Sequence, residues 1–236
     1  MKKLWIVSLL LIVVAFIAAY LWILPQRFIS GQAGQNQIAK PKSLDHLPLI
    51  GLRQSGTGMV GRLESPVIID GYPCDAGWVH FDQAGRLKAF YLSDTSMIQG
   101  NQIPKGTWIQ LNPDLTVRFC SFPENTNIQG HLCDGGVGGS EGVTTSFYPS
   151  GRLSEFYSPR DVEIQGIPCR TSPVNGISLH ENGNLKEFTL SRDTAIGGQN
   201  LSAGDHVILD EQGSVRSVTS PSIVGRAVGW VTGLFR

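Results

Sequence analysis

The sequence predicts an all-β fold of consecutive antiparallel β-hairpins, laid out as a ribbon, roll or solenoid. Three observations predict it. Residues 85–119 and 183–217 are copies at a constant offset of 98 with no gap, sharing Gly85, Leu87, Lys88, Phe90, Leu92, Ser93, Ile98, Gly100, Gly106, Leu111, Val117 and Arg118 with their counterparts. A shared block of that length means that one folding unit is used again. A turn phrase, Gly-Arg/Asn-Leu, recurs at Gly61, Gly85, Gly151 and Gly183. Finally, no stretch between residue 24 and the last fifteen residues keeps helical periodicity, while glycine is abundant at 28 of 236 residues. Charged residues make up 16%, against about 25% in average domains, which suits a turn-dense β-protein.

The hairpins follow from strand and turn signals. Val79 to Asp82, a turn ending at Gly85, and Leu87 to Leu92 form one; Ile177 to His180, Gly183, and Leu185 to Leu190 form another; Ser146 to Tyr148, Gly151, and Leu153 to Tyr157 form a third. The glycine supplies the positive φ that a tight turn needs without a Cβ penalty. Pro113-Asp114-Leu115 lacks that glycine, so a different turn is expected there. Leu87 and Phe90, Leu153 and Phe156, and Leu185 and Phe188 are each three apart. Strict alternation puts such pairs on opposite faces, so either both faces are covered or a bulge intervenes.

A second phrase runs Ile69-Asp70-Gly71-Tyr72-Pro73-Cys74, Ile128-Gln129-Gly130-His131-Leu132-Cys133 and Ile164-Gln165-Gly166-Ile167-Pro168-Cys169. Cys74, Cys133 and Cys169 therefore share one repeat position, and Cys120 stands apart. Three readings are open. The cysteines are small buried side chains beside a turn. Alternatively an exported domain oxidises them, with Cys120–Cys133 the first pair to test. A metal site is the third, but zinc cysteines usually come in close C-x-x-C pairs, and none occurs. The structural repeat set is thus Gly71, Cys74, Gly85, Gly130, Cys133, Gly151, Gly166, Cys169 and Gly183.

Phe147-Tyr148-Pro149-Ser150-Gly151-Arg152-Leu153-Ser154-Glu155-Phe156-Tyr157 resembles the variant MORN repeat of bacterial proteins, with weaker versions at 81–92 and 179–190. The Ile-x-Gly-x-x-Cys element lies outside that pattern. The resemblance implies hairpins side by side, an interaction or scaffold role, and no catalytic residues.

Leu4 to Leu24 is a run of 21 residues in which only Ser8 is polar. As a helix it spans roughly 31 Å, enough for a hydrocarbon core of about 30 Å. Lys2 and Lys3 precede it and Pro25 follows. Residues 1–25 are expected to be an uncleaved single-pass anchor in a bacterial inner membrane, N-terminus in the cytoplasm. A cleaved signal is the alternative, with Gly31-Gln32-Ala33 as a small-x-small pattern. Residues 26–48 read as a flexible tether. Residues 49–219 form the β-repeat domain, placed in the periplasm or outside the cell. Residues 220–236 read as an amphipathic helix or tail, opened by Ser220-Pro221 and carrying Ile223, Ala227, Trp230, Val231 and Leu234 on one face.

Chemistry-bearing motifs are scarce. Gly135 to Gly142 has glycines but no Gly-Lys-Ser/Thr ending, so it reads as an insertion and not a phosphate loop. None of the five histidines, His46, His80, His131, His180 and His206, recurs in the repeat. Asp82, Asp94, Glu155, Asp161, Glu187 and Asp193 look scattered and unpaired. No metal, cofactor or catalytic residue is assigned. Lys plus Arg and Asp plus Glu each total 19, which argues against nucleic-acid binding. Trp78, Trp108, Tyr148 and Tyr157, with Tyr72 and Tyr91, are candidates for a carbohydrate or peptide groove, or fill the cores between hairpins. The expected function is a membrane-anchored, non-enzymatic interaction module with a protein or envelope partner. An envelope glycan hydrolase and an immunity-like protein are the alternatives.

Overall fold

The computed structural model describes residues 41–136, 143–171 and 176–221. The expected anchor at Leu4–Leu24, most of the tether, the core of the glycine insertion and the tail from residue 222 lie outside them. Among the described residues no helix is long and apolar enough to cross a membrane.

Long and short hairpins alternate along the chain. A one-turn 3₁₀ helix at Lys42–Leu44 leads into the first unit, with long strands β1 (Leu49–Ser55) and β2 (Gly58–Leu63) and short strands β3 (Val67–Ile69) and β4 (Tyr72–Cys74). The second unit repeats this as β5 (Gly77–Asp82), β6 (Leu87–Tyr91), β7 (Ser96–Ile98) and β8 (Asn101–Ile103). The third is β9 (Trp108–Leu111), β10 (Val117–Ser121), β11 (Thr126–Ile128) and β12 (His131–Cys133). The fourth is β13 (Thr145–Phe147), β14 (Leu153–Phe156), β15 (Val162–Ile164) and β16 (Ile167–Arg170). The fifth is β17 (Ile177–Leu179), β18 (Leu185–Leu190), β19 (Thr194–Ile196) and β20 (Gln199–Leu201), and the sixth is the long hairpin β21 (His206–Leu209) and β22 (Val215–Thr219).

The long strands form one antiparallel meander, β1-β2-β5-β6-β9-β10-β13-β14-β17-β18-β21-β22, with β16 also pairing β18 and β15 pairing β16. The short hairpins fold back over its inward side. Cys74 bridges Leu92, the Tyr72 ring lies 5.3 Å from Phe90, and His131 lies 5.0 Å from Phe156. Between the two layers Phe81, Phe90, Phe156 and Phe188 are fully buried. Each such side chain removed from water contributes about 1.5–3 kcal/mol.

The three-residue spacing of Leu87 and Phe90 is explained by a bulge. His80 pairs Ala89 but Phe81 pairs Leu87, leaving Lys88 as the extra residue. The shift recurs at Ser146/Phe147 and Ser178/Leu179. One extra residue puts both Leu and Phe on the inward face. The turn at Pro113-Asp114-Leu115, expected to differ, does not. Leu115 takes the glycine's place at φ 67, and its N–H donates to Asn112 O at 3.0 Å as Gly85 N–H does to Asp82 O. The Tyr72 hydroxyl donates to Leu115 O at 2.6 Å, which holds the left-handed leucine in place.

The short hairpins all turn in the same way. Asp70-Gly71, Gln99-Gly100, Gln129-Gly130, Gln165-Gly166 and Gly197-Gly198 have positive φ at both central residues, the type I′ turn whose twist matches that of the flanking strands. A non-glycine residue there costs about 1–2 kcal/mol. Its side chain offsets that cost. The bulge frees an N–H on the following long hairpin, and the tip side chain accepts from it: Leu87 N–H to Asp70 at 2.8 Å, Val117 N–H to Gln99 at 2.7 Å, Leu153 N–H to Gln129 at 3.2 Å and Leu185 N–H to Gln165 at 3.2 Å. Each tip thus fastens one unit to the next.

Candidate functional site

The sheet face turned away from the short hairpins carries the site. Strand register aligns one residue from every long strand: Arg53, Val60, His80, Ala89, Gln110, Phe119, Ser146, Glu155, Ser178, Glu187, Ile208 and Ser217. Cross-strand partners point to the same side, so this row crosses the whole meander. In its middle it reads Ser146-Glu155-Ser178-Glu187. The two serines hold one repeat position in successive units, and the two glutamates hold another.

A cavity of about 230 Å³ opens there, lined by Glu155, Tyr157, Gly176, Ser178, Glu187, Thr189 and His206. Its origin is a matter of side-chain size. Gly176 and Ser178 lie on the central of three strands, where the second unit has Trp78 and His80. A Cβ on Gly176 would sit 2.7 Å from Glu155 Oε1 and 3.2 Å from the Tyr157 ring, so glycine is what lets both fold over the floor. His206 Nε2 lies 3.0 Å from Glu187 Oε1. An ionised carboxylate only accepts, so Nε2 carries the proton. Burial pushes the Tyr157 phenol up, and the Glu155 charge adds to it.

A second cavity of about 230 Å³ lies beside the turns of the second and third units and includes Asp82, Arg86, Lys88, Asn112 and Arg118. Its character is cationic. Arg86 is already bound to Asp82 at 2.8 Å and donates to Pro113 O at 3.1 Å, while the Arg118 guanidinium lies 5.6 Å from the Phe119 ring. Lys88 also lowers the His80 pKa, after burial as the first cause.

The aromatic candidates do not gather into one groove. Trp78 is 51% exposed with Arg53 stacked 5.4 Å from its ring. Trp108 is 8% exposed and packs on Phe119 at 5.6 Å. The Tyr148 hydroxyl straps two turns together by donating to Leu179 O at 2.9 Å. Only Tyr157 of the four lines the acidic cavity. Of the acids that look scattered in the sequence, two come together: Glu155 and Glu187 share that cavity. The signal for them is Leu153-Ser154-Glu155-Phe156 against Leu185-Lys186-Glu187-Phe188, a repeated Leu-x-Glu-Phe.

All four cysteines are buried free thiols. The position of Cys74, Cys133 and Cys169 is filled by Ile103 and Leu201 in the other two short hairpins, as expected of a packing site. Burial pushes each of these three thiols up to about 12, and Cys120 is raised by burial and by nearby Cys133. Among the described residues no group of three or more His, Cys, Asp or Glu is placed to hold a metal ion. No protein-family model, no curated protein and no solved structure matches this chain.

Proposed function

We propose that this protein is a membrane-anchored, extracytoplasmic β-repeat module that binds a protein or envelope partner without chemistry of its own. The observation that carries this reading is the row running over every long strand, half-buried from Gln110 to Ile208, with its dent at Glu155, Ser178 and Glu187. A repeat sheet fastened unit to unit offers a long rigid face, and rigidity keeps the ordering cost of binding low. An anchor at Leu4–Leu24 would tether the module to a membrane, and the resemblance to variant MORN repeats fits a scaffold role. A photo-crosslinking residue at Ser178 in the full chain, in native membranes, is expected to trap a discrete adduct. The same probe at exposed Ser202 is expected to trap none. Equal labelling from both positions would overturn the reading. Accessible protease sites beyond residue 30 in spheroplasts test the topology.

One observation favours an envelope glycan hydrolase as a second reading: Glu155 and Glu187 flank the same dent, as paired acids do in glycosidases. Against it, the Glu187 side chain is 42% exposed and already bonded to His206. Turnover of an envelope glycan that is lost in Glu155→Gln and in Glu187→Gln would establish the enzyme.

A further inference from the structure

We propose that the dent between Glu155 and Glu187 seats a cationic head group, a guanidinium or protonated amine presented by a basic segment of the partner. This inference rests on the interaction-module reading and names the chemistry of its site. Charge is the first argument. The cavity is lined by two carboxylates and by no Lys or Arg. Among the described residues the ion pairs include none to Glu155. His206, the single basic group in the lining, is engaged by Glu187. The site therefore holds acceptors in excess of its own donors, the arrangement that charge-assisted hydrogen bonds from a cation complete.

Shape is the second argument, independent of charge. The floor is small, Gly176 and Ser178, with Glu155 and Tyr157 lying over Gly176 and His206 also in the lining. Strands lie about 4.8 Å apart, so the Glu155 and Glu187 backbones, separated by β17, stand on the order of 10 Å apart. Glu155 on β14 and Glu187 on β18 therefore reach the dent from opposite sides of β17. Tyr157 adds a ring of the kind that cations favour. In the second unit Trp78 and His80 fill the equivalent floor, so the dent belongs to the fifth unit and is not a general property of the repeat.

The test uses the full chain in a non-ionic detergent and a fluorescein-labelled tri-arginine amide, followed by anisotropy. Saturable binding is expected. It should weaken at least about tenfold in the Glu155→Gln/Glu187→Gln double variant, as loss of close charge pairs does. It should weaken also between about 20 and about 150 mM salt, where the screening length falls to about 8 Å. A tri-citrulline amide, the same shape without charge, should not compete. Glu163→Gln, an exposed acid paired with Arg192 at 2.7 Å, should leave binding unchanged. Gly176→Ala, with both carboxylates retained, should weaken it by displacing Glu155. Equal binding by the wild type and the double variant would overturn the proposal, as would competition by tri-citrulline, by a neutral disaccharide or by calcium. If tri-arginine fails while the Ser178 crosslinker still traps its partner, the cation is wrong and the module stands. If crosslinking also fails, both fall.

Discussion

Asp70, Gln99, Gln129 and Gln165 hold φ values of 49, 47, 52 and 54, a region that side chains other than glycine avoid. Their side chains explain why they stay. Gln129 accepts from Leu153 N–H, donates to Gly151 O at 2.8 Å and donates to Asn101 Oδ1 at 2.9 Å. Gln129→Ala keeps the strain and leaves those partners without it, so urea unfolding should show a loss of about 1–3 kcal/mol. Gln129→Gly also loses the bonds but relieves the strain, and should be milder by about 1 kcal/mol. Equal stability for Gln129→Ala and the wild type would remove the fastening role. The buried thiols carry a separate prediction at this scale. Folded values near 12 for Cys74, Cys133 and Cys169 lie above the unfolded value of about 8.5. The folded state then keeps protons that the unfolded state loses. Stability from these groups is complete below about pH 8.5 and falls as pH rises towards 12. Melting temperatures across that range should fall less steeply in a Cys74→Ala/Cys133→Ala/Cys169→Ala variant than in the wild type. Native alkylation should be slow at all four cysteines, and a Cys120–Cys133 linked peptide in unreduced protein would show that this pair oxidises instead.

At the scale of elements, the turn glycines separate into two kinds. Gly130 has φ 88 and open space around the Cβ it lacks, whereas a Cβ on Gly151, at φ 82, would lie 2.6 Å from both Gln99 Cβ and Gln99 O. Gly130→Ala should cost about 1–2 kcal/mol from backbone strain alone. Gly151→Ala should cost more, because it also pushes the β7–β8 tip off the fourth unit's turn. Similar denaturant midpoints for the two variants would contradict this. Such contacts mark the limit of what the sequence discloses. The Gly85, Gly151 and Gly183 turns are legible because one residue type answers one backbone need. The Ile-x-Gly hairpins are legible three times through their cysteines. The copies at Ile98 and Ile196 are legible as copies of each other but not of the cysteine hairpins, because Ile103 and Leu201 stand where cysteine does elsewhere. Leu115 misleads because its cost is offset by Tyr72, distant in sequence. Glu155 and Glu187 look scattered because an unlocated bulge leaves the face of every later residue undecided, a one-residue slip turning each side chain over. Once the bulge is placed at Ser154 and Lys186, both acids fall into one row.

At the scale of the whole repeat domain, a linear array must finish at each end, and the two ends differ. In repeat arrays each unit leans on its neighbours, so terminal units are the least stable unless capped. The N-terminal end is covered: Leu44 is 2% and Leu47 4% exposed. A Cβ on Gly85 would meet Ser43 Oγ at 2.7 Å, so this segment approaches the second unit's turn as the Gln99 tip approaches Gly151. At the other end β22 is the last strand of the meander among the described residues, and its residues are exposed or half-exposed throughout. The tip before it is Gly197-Gly198, which offers no side chain to the sixth unit's bulge, where Val215 pairs Leu209 after the register shift. Hydrogen exchange should therefore run fastest in β21 and β22 and slowest in β9 to β14, graded by distance from the unfastened end. Gly197→Gln tests the cause. Gly197 has φ 57, in the same left-handed region as the four occupied tips at 47 to 54, so glutamine enters at a strain close to theirs. Its carbonyl should then accept from Val215 N–H as Gln165 accepts from Leu185 N–H. The Val215 amide should exchange at least about tenfold more slowly, while amides in β9 and β10 keep their wild-type rates. Unchanged exchange at Val215 would mean that the tip bonds follow from the packing of the units and do not hold them together.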